Sequence, residues 1–457
     1  MKIKNASEHS PGYERLSTLF DEGTFVELGA YIRRKDRENE YEGVICGYGS
    51  VNSRLVFAFA QDPDRLGGAL DAYHADKIEA LYRAAMRSAA PVIGILNSKG
   101  AMIGDGISSV AAYGRIIKCV SDASGIIPQL AIIDGVCAGS MAAIAQMFDI
   151  TVAVRDKTLL YVTSPSAIGD TYGKAETVAA LGLVGAVSED SEGAIELARR
   201  IVCMLPDNSE SLAVSESADS AERESITNGG VYENISSLTD TGSFVELYKE
   251  YGESMVTGLA TIAGVTVGIV ANDPSKDLGR ITPNGARKAA RLISFCDSFS
   301  IPTVTLTDSY GVKASKDSED VGISAAMAKL AMAYTASTNA KITLIIGNAY
   351  GAAAILMGSK AMGTDLVLAC PEACVGTLSP EASVAFIDNS LVGKEGSREE
   401  LEERWRRENL SPVKAAEVGE IDDIIEPSEA RARIASALYM LSDSNRSCKR
   451  KHTVDPL

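Results

Sequence analysis

The sequence predicts an α/β fold that is repeated once along the chain. Residues 23–28, Gly-Thr-Phe-Val-Glu-Leu, return at residues 242–247 as Gly-Ser-Phe-Val-Glu-Leu, an offset of 219. Pro91 and Pro302, each of which opens an apolar run, are 211 positions apart. Within each half, short β-branched runs alternate with helical patterns, which is typical of α/β domains with mostly parallel strands. A nearly constant offset over a whole half indicates two tandem homologous domains rather than a short-period solenoid.

The two halves are of ordinary domain size. The chain has 457 residues, and single cores stop growing at about 250–300 residues. The expected domains are residues 1–228 and residues 229–457. Residues 207–228 are acidic, rich in serine and poor in large apolar side chains, so we interpret them as an interdomain linker.

The elements of the first half follow from periodicity and turn residues. A hairpin is expected over residues 44–60 because β-branched runs flank Asn52-Ser53. A helix is expected over residues 74–89, where apolar side chains recur on one stripe. The remaining expectations, in chain order, are a helix and turn over 13–28, a strand over 91–96, a helix over 107–120, a strand over 130–133, a glycine turn at 135–139 that opens a helix, and strands over 150–154 and 159–162. The second half repeats this scheme, with strands expected over 261–271, 303–306, 342–346 and 366–369.

Composition excludes several classes of function. The formal net charge is −17, which argues against nucleic acid or an anionic membrane as the main partner. None of the eight cysteines forms a Cys-x-x-Cys pair, and the three histidines are too scattered for a metal site, so no metal is expected. No apolar leader opens the sequence, and we expect a cytoplasmic protein with reduced thiols.

The candidate site is made of backbone rather than of side chains. No nucleophile elbow, plausible Ser-His or Cys-His pair, or P-loop is present. Glycines instead end strands and open helices at matching points of both halves, where free N–H groups form an oxyanion hole. The candidate residues are Gly100, Ala101, Gly139 and Ser140 in the first half, and Gly311, Val312, Gly351 and Ala352 in the second. The alternative is that these glycines only permit close packing of helix on sheet.

Longer motifs resemble a known family over nearly the whole chain. Residues 67–70 and 74–78, Gly-Gly-Ala-Leu and His-Ala-Asp-Lys-Ile, match a Gly-Gly-Ser-Leu and His-Ala-x-Lys-Ile stretch. Residues 135–140 resemble Gly-Pro-Cys-Ala-Gly-Gly, and residues 349–352 resemble Ala-Tyr-Gly-Gly. The chain is similar to the carboxyltransferase subunits of biotin-dependent acyl-CoA carboxylases and decarboxylases. These are double-domain members of the crotonase superfamily, so the resemblance implies two crotonase-like domains of ββα-superhelix architecture.

The sequence departs from that family in two loops. The family's Asp-Ser-Gly-Gly-Ala-Arg appears as Asn-Ser-Lys-Gly-Ala-Met at residues 97–102, and its Pro-Gly-Phe-x-Pro-Gly loop loses both prolines at residues 309–314. Three further residues are candidate ligand contacts. Lys99 lies where a CoA phosphate could be met, Tyr350 belongs to the second oxyanion motif, and Ile355 aligns near the acyl or biotin pocket. A solvated lysine and a core isoleucine are the alternatives for Lys99 and Ile355.

The resemblance implies transfer of CO₂ between N1′-carboxybiotin and the α-carbon of a short acyl-CoA of the acetyl or propionyl class. The first domain would hold the thioester oxygen and the second the biotin ureido oxygen. The cofactor supplies the base, which agrees with the lack of an acid–base side chain. No biotinylation motif is present, so biotin is expected on a separate carrier protein, with a biotin carboxylase as a further partner.

The resemblance also implies a homo-oligomer, a dimer at the minimum, with a trimer of dimers as the larger form. Two other functions stay open at this stage. One is the α-subunit of a sodium-pumping decarboxylase that acts with a membrane subunit on methylmalonyl-, malonyl- or glutaconyl-CoA. The other is a non-catalytic scaffold that only binds CoA, suggested by the altered loop at residues 97–102.

Overall fold

The computed structural model describes residues 7–32, 40–169, 171–211, 219–223, 229–442 and 457. The described chain divides into two compact units. Unit 1 contains the residues up to 211, and unit 2 contains residues 219–442. Two parts of the expected linker, residues 212–218 and 224–228, lie outside the described residues.

Unit 1 is built on an eight-stranded sheet in the order β1-β2-β3-β4-β5-β6-β8, with β7 paired to β5. The first three strands pair antiparallel and the others parallel. The strands are β1 (Val26–Leu28), β2 (Val44–Val51), β3 (Arg54–Gln61), β4 (Val92–Ser98), β5 (Gln129–Ala138), β6 (Ile150–Val154), β7 (Leu159–Tyr161) and β8 (Ala186–Ser188). The helices are α1 (Pro11–Leu19), α2 (Ala72–Ser88), α3 (Ile107–Ala123), α4 (Ser140–Gln146), α5 (Pro165–Ile168), α6 (Ala175–Ala180) and α7 (Ser191–Met204).

Unit 2 repeats this arrangement. Its eight-stranded sheet runs β16-β14-β13-β12-β11-β10-β9, with β15 paired to β13. The strands are β9 (Val245–Leu247), β10 (Met255–Ile262), β11 (Val265–Asn272), β12 (Thr303–Ser309), β13 (Lys341–Tyr350), β14 (Leu366–Ala369), β15 (Cys374–Gly376) and β16 (Asp423–Ile424). The helices are α8 (Val231–Leu238), α9 (Pro283–Ser298), α10 (Lys316–Asp320), α11 (Ile323–Ala336), α12 (Ala352–Leu356), α13 (Pro380–Ser383), α14 (Arg398–Asn409), α15 (Pro412–Glu417) and α16 (Ala430–Leu441).

The hairpin of each unit is closed in the same way. Asn52 and Ser53 have φ of 48° and 66°, as a two-residue type I′ turn requires. The carboxylate of Asp21 accepts their N–H groups at 3.1 and 2.9 Å. In unit 2 the carboxylate of Asp240 accepts from the two turn residues, Ala263 at 3.0 Å and Gly264 at 2.9 Å. The expected hairpin over residues 44–60 is therefore confirmed.

Two sequence expectations are corrected. Strand β5 does not end at Ile133 but continues to Ala138, so residues 135–138 belong to the strand and the helix opens only at Ser140. The expected single strand over residues 261–271 is the hairpin of β10 and β11. Its turn escaped notice because Ala263 takes a φ of 49°, a conformation in which glycine or asparagine is the usual signal.

Each unit has its own apolar core. In unit 1, side chains of α2, α3 and α4 pack on the sheet, among them Ile78, Ile116 and Ile144. In unit 2, Ile235 of α8 and Ile434 of α16 pack against strand residues such as Leu306. None of the described helices combines the length and apolar character that a bilayer crossing needs.

Candidate active site

Two glycine turns follow neighbouring strands in each unit. Ser98 of β4 pairs with Cys137 of β5, and Gly100 and Gly139 each come two residues later. In unit 2, Ser309 of β12 pairs with Ala349 of β13, again two residues before Gly311 and Gly351. The strands are parallel, so both turns of a unit leave the same edge of its sheet side by side.

A side chain on β4 sets this register in unit 1. Between the pair Leu96–Ile133 and the pair Ser98–Cys137, β5 has two more residues than β4. Asn97 fills the resulting bulge: its amide nitrogen donates to the Asp134 carbonyl at 3.0 Å, and its oxygen accepts from the Val136 N–H at 3.2 Å. A Cβ added at Gly135 would lie 2.3 Å from the Asn97 amide, so only glycine fits there.

Unit 2 contains the same bulge with a carboxylate in place of the amide. Asp308 Oδ1 accepts from the Asn348 N–H at 2.8 Å and from its side-chain amide at 3.1 Å. A Cβ at Gly347 would lie 2.5 Å from the Asp308 carboxylate. Sequence reasoning missed both Asn97 and Asp308. The signal was available, because they are separated by the repeat offset of 211 and each precedes a serine.

Each turn presents amide groups that the fold leaves unused. Helix α4 begins after Gly139, whose φ is 62° and whose N–H donates to the Tyr161 carbonyl at 2.9 Å. The first N–H groups of a helix, here that of Ser140, have no acceptor inside the helix. At the other turn, Leu70 lies opposite Ala101 in a parallel bridge. The Leu70 N–H donates to the Gly100 carbonyl and its carbonyl accepts from the Met102 N–H, so the Ala101 N–H points away from Leu70.

The geometry in unit 2 is the same. Gly351 has a φ of 55°, and its N–H donates to the Gly376 carbonyl at 2.8 Å before α12 begins at Ala352. Ile281 pairs with Val312 through bonds to Gly311 and Lys313, at 2.9 and 3.0 Å. The structure thus brings the eight predicted residues into two equivalent pairs of turns, one pair in each unit.

The turns of unit 1 face open space. A Cβ added at Gly100 or Gly139 would meet no atom within 4 Å, so a ligand atom can approach these amides. Those of unit 2 are more enclosed: a Cβ at Gly311 would lie 3.3 Å from the Tyr350 carbonyl, and one at Gly351 would lie 3.2 Å from the Thr377 carbonyl. Two such turns fit a carbonyl or ureido oxygen that accepts from converging N–H groups.

The other three candidates differ in exposure. Lys99 is exposed, and its aliphatic stem lies over Gly67, where a Cβ would be 2.6 Å from Lys99 Cδ. Ile355 is 55% exposed, which corrects the alternative of a core isoleucine. Tyr350 is buried; its hydroxyl donates to Asn348 Oδ1 at 2.8 Å and its ring meets Tyr310 edge to face. Both contacts hold the Tyr350 side chain in place next to Gly351, and its role as a ligand contact stays a prediction.

Three buried titratable groups of the two units are held in their neutral forms. Burial lowers the pKa of His74 to about 3, so this histidine is neutral at pH 7. Burial also raises the pKa of the Cys137 thiol and of the Tyr350 hydroxyl. No group of acidic, histidine or cysteine residues in the described chain could hold a metal ion. The chemistry that this site can supply is stabilisation of a negatively charged oxygen by amide dipoles.

Comparison with known proteins agrees with this chemistry. The carboxyl transferase domain, as a protein family, matches residues 11–454. The chain belongs to the carboxyl transferase family. It is an acyl-CoA carboxyltransferase, an enzyme whose reaction depends on biotin and uses CoA thioesters, as the sequence motifs implied. The resemblance and the two-domain crotonase-like fold are therefore confirmed.

Individual relatives cover nearly the whole chain. Methylmalonyl-CoA decarboxylase subunit alpha of Veillonella parvula is 33% identical over 97% of this chain and 92% of its own length. The carboxyltransferase subunit of propionyl-CoA carboxylase of Haloferax mediterranei is 33% identical over 99% of this chain and 95% of its own. The hexameric transcarboxylase 12S, solved with methylmalonyl-CoA bound, superposes with a TM-score of 0.90 at 30% identity over 99% of this chain and 94% of its own.

Proposed function

We propose that this carboxyl transferase moves a carboxyl group between N1′-carboxybiotin on a separate carrier protein and the α-carbon of a short-chain acyl-CoA. The observation that carries the proposal is the repeated pair of turns, in which the Ala101, Ser140, Val312 and Ala352 amides face away from the fold. One chain thereby offers two oxyanion holes of the same design, and the reaction needs one for each reactant.

The propionyl and methylmalonyl pair is the favoured acyl class. Two relatives of equal identity are named for propionyl-CoA and methylmalonyl-CoA, and the transcarboxylase 12S structure holds methylmalonyl-CoA. Exposed Ile355, next to the turn of unit 2, is the residue that we propose to border the acyl or biotin pocket. Lys99 is proposed to meet a CoA phosphate, because its exposed ammonium lies beside the first turn in an otherwise acidic protein.

Each unit is proposed to serve one reactant. In the domain at residues 1–228, the amides of Ala101 and Ser140 stabilise the negative charge that develops on the thioester oxygen when the α-proton leaves. In the domain at residues 229–457, the amides of Val312 and Ala352 do the same for the ureido oxygen. Biotin supplies the carboxyl group and the base for the α-proton, so the chain itself needs no acid–base side chain.

We propose that the active assembly is at least a dimer. Helix α3 leaves Ile107 79% and Val110 59% exposed, and α11 leaves Met332 69% exposed. Apolar stripes of this kind on two equivalent helices are typical of surfaces that a second copy covers. The described structure of the transcarboxylase 12S relative is a hexamer, which supports a trimer of dimers. We further propose a cytoplasmic location and a biotin carboxylase partner.

A decarboxylase α-subunit is the second candidate, since a relative with that name is 33% identical over 97% of the chain. The reaction would then run in reverse, with a membrane decarboxylase subunit in place of biotin carboxylase. Affinity purification of the tagged chain from its native cells separates the two, because one partner is recovered from the cytosol and the other only from detergent extracts.

The test of the proposal is transfer with free biotin as the acceptor and a panel of malonyl-, methylmalonyl- and glutaconyl-CoA. We expect loss of CO₂ from methylmalonyl-CoA that depends on biotin and exceeds the rates with the other two. Decarboxylation at full rate without biotin would contradict the mechanism. A preference for glutaconyl-CoA would leave the mechanism intact and overturn the acyl class.

A further inference from the structure

Unit 2 contains a cavity that the proposed reaction does not use. Its volume is about 710 Å³, within the size range of small-molecule sites. The start of α8 and the ends of β11, β12 and β13 form its walls, with Asn234, Asn272, Leu306, Asp308 and Ile346 among the lining residues. It lies on the sheet face that carries α8 and α16, where Leu306 joins the core of those helices. Helix α11 packs on the other face, where the hydroxyls of Thr305 and Tyr334 are 2.8 Å apart.

In unit 1, the repeat places charged side chains at two of the equivalent positions. Arg15 of α1 corresponds to Asn234 by the offset of 219, and Asp134 of β5 corresponds to Ile346 by the offset of 212. In unit 1, partly exposed Arg15 forms an ion pair with buried Asp134, and Asp134 also accepts from the Ser191 hydroxyl at 2.7 Å. In unit 2 neither position is charged, and both Asn234 and Ile346 line the cavity.

The walls are rich in hydrogen-bond acceptors. Asn234 and Asn272 are 6% and 2% exposed, and the side-chain oxygen of each has no hydrogen-bond partner among the residues that the structure describes. The orientation of Asn272 is fixed, because its amide nitrogen donates to the Gly279 carbonyl at 2.9 Å. Buried acceptors of this kind are normally satisfied. A ligand that donates hydrogen bonds would satisfy both.

The charged side chains around the cavity are mostly negative, so they also favour a ligand that donates hydrogen bonds. Four carboxylates line it against two ammonium groups, and one of these, Lys276, is 3.3 Å from Glu253 in an ion pair. The carboxylates are those of Glu250, Glu253, Asp273 and Asp308. The remaining wall is apolar, with Val231, Leu306 and Ile346. An apolar wall beside carboxylates fits an organic ligand that carries both a charged group and an aliphatic part.

We propose that this cavity binds a small organic cation, an ammonium or guanidinium group on a short aliphatic body. The carboxylates and the two asparagine oxygens accept from the cation, and the apolar wall contacts the aliphatic part. The proposal does not depend on the carboxyl transfer. It does imply a connection to it, because Asp308 lines the cavity and also holds Asn348, two residues before Tyr350, in the bulge.

The test uses agmatine as the probe, with calorimetry and thermal melting at constant ionic strength. We expect saturable binding and a concentration-dependent rise in the melting temperature. Pentanol, which lacks the cation, and glutarate, which carries the opposite charge, are expected to give neither. The titration extends to about 10 mM agmatine, a concentration that would nearly saturate a site with a Kd of about 1 mM. Absence of saturable binding over this range overturns the proposal.

The repeat supplies the variants. The double substitution Asn234→Arg with Ile346→Asp places the ion pair of unit 1 in the cavity and is expected to abolish agmatine binding. Asp308→Asn removes one negative charge from the cavity wall. The bulge should persist, because Asn97 holds the equivalent bulge in unit 1. Loss of a hydrogen bond to a charged group predicts an affinity roughly 10- to 100-fold lower. If the double variant fails to fold, Asp308→Asn decides alone, and unchanged affinity in it overturns the proposal.

Amide hydrogen exchange tests whether a ligand in the cavity affects the Gly351 turn. Agmatine is expected to slow amide hydrogen exchange in peptides that contain residues 346–352 of the wild-type protein, and to leave the double variant unchanged. Unchanged exchange at saturating agmatine would show that the cavity binds the cation without reaching the Gly351 turn.

Discussion

At Asn97 and Asp308, two different side chains hold the same bulge. Asn97 uses both its donor and its acceptor, whereas Asp308 accepts twice through one oxygen. Neither is proposed to contact acyl-CoA or biotin, so both are positioning residues for the carboxyl transfer. They act on the amides of the following turns through strand register.

Replacing Asn97 with alanine should loosen the first turn. The substitution leaves the Asp134 carbonyl and the Val136 N–H without their partner, and an unsatisfied buried group costs about 1–3 kcal/mol. We expect a lower urea midpoint together with a reduced kcat for methylmalonyl-CoA. Asn97→Asp, which copies unit 2, keeps the acceptor for Val136 and should lose less. Equal activity in all three proteins would show that the bulge does not position the turn.

The Ser140 amide is the sharpest test of the oxyanion hole. Ser140 is the first residue of α4, a position where proline is well tolerated, so Ser140→Pro removes the N–H with little change in shape. Loss of one oxyanion donor lowers kcat on the order of 100- to 1,000-fold. Ser140→Ala keeps the N–H and should retain its turnover.

Thermal melting of both Ser140 variants is the control for folding. If Ser140→Pro melts normally and keeps its activity, the glycines of this turn serve packing alone. If Ser140→Ala loses activity instead, the hydroxyl rather than the amide takes part in the reaction.

At the scale of elements, helices α3 and α11 both expose apolar side chains to solvent. Helix α3 is packed on one side through residues such as Ile116, while Ile107 and Val110 on its other side are exposed. Helix α11 is apolar nearly all round, a composition typical of helices that are covered on every side. Both helices follow the first glycine turn of their unit, so whatever covers them lies near the site.

A charge on the α3 stripe should therefore break the assembly. Val110→Glu places a carboxylate on a surface that we propose a second copy covers, and burial of an unpaired charge is strongly unfavourable. Light scattering should show a smaller species, with activity lost in parallel. Lys118→Glu is the matched control on the same helix, at a position 74% exposed, and should leave the mass unchanged. An unchanged mass in Val110→Glu would place the interface elsewhere.

At the scale of the whole molecule, the repeat raises the question of which two units share a site. We propose that unit 1 of one chain serves a site together with unit 2 of another chain, since a site shared between subunits is a further property that the family resemblance implies. If so, chains carrying Ser140→Pro and chains carrying Ala352→Pro, each inactive alone, should complement one another. Each mixed dimer has one intact site of two, so the fraction purified through both tags should have about half of the wild-type activity.

The readout is carboxyl transfer after co-expression of the two variants with different tags and purification through both. No activity in the doubly tagged fraction would mean that both halves of a site come from one chain. Either variant with high activity by itself would show that its amide is not needed.

The sequence by itself determined the repeat, the α/β class and the glycine turns. Those features depend on residues that are close together in the sequence. A glycine between a strand pattern and a helix pattern, for example, predicts a turn with positive φ, and Gly139 has a φ of 62°. Motif order over the whole chain was specific enough to identify the family.

Only the tertiary structure decided how far the strands run and what supports the turns. Strand β5 continues past Ile133 because Asn97, 37 positions away from Asp134, bonds to its backbone, a contact that no local pattern contains. The burial of Tyr350 against Tyr310 is likewise a contact between distant segments, and its contact with a ligand stays a prediction. The cavity of unit 2 depends on two substitutions, at Asn234 and Ile346, that are far apart in the chain and become neighbours only when α8 packs on the sheet. Long-range contacts set these features, because burial and hydrogen-bond partners are properties of the folded neighbourhood rather than of the sequence nearby.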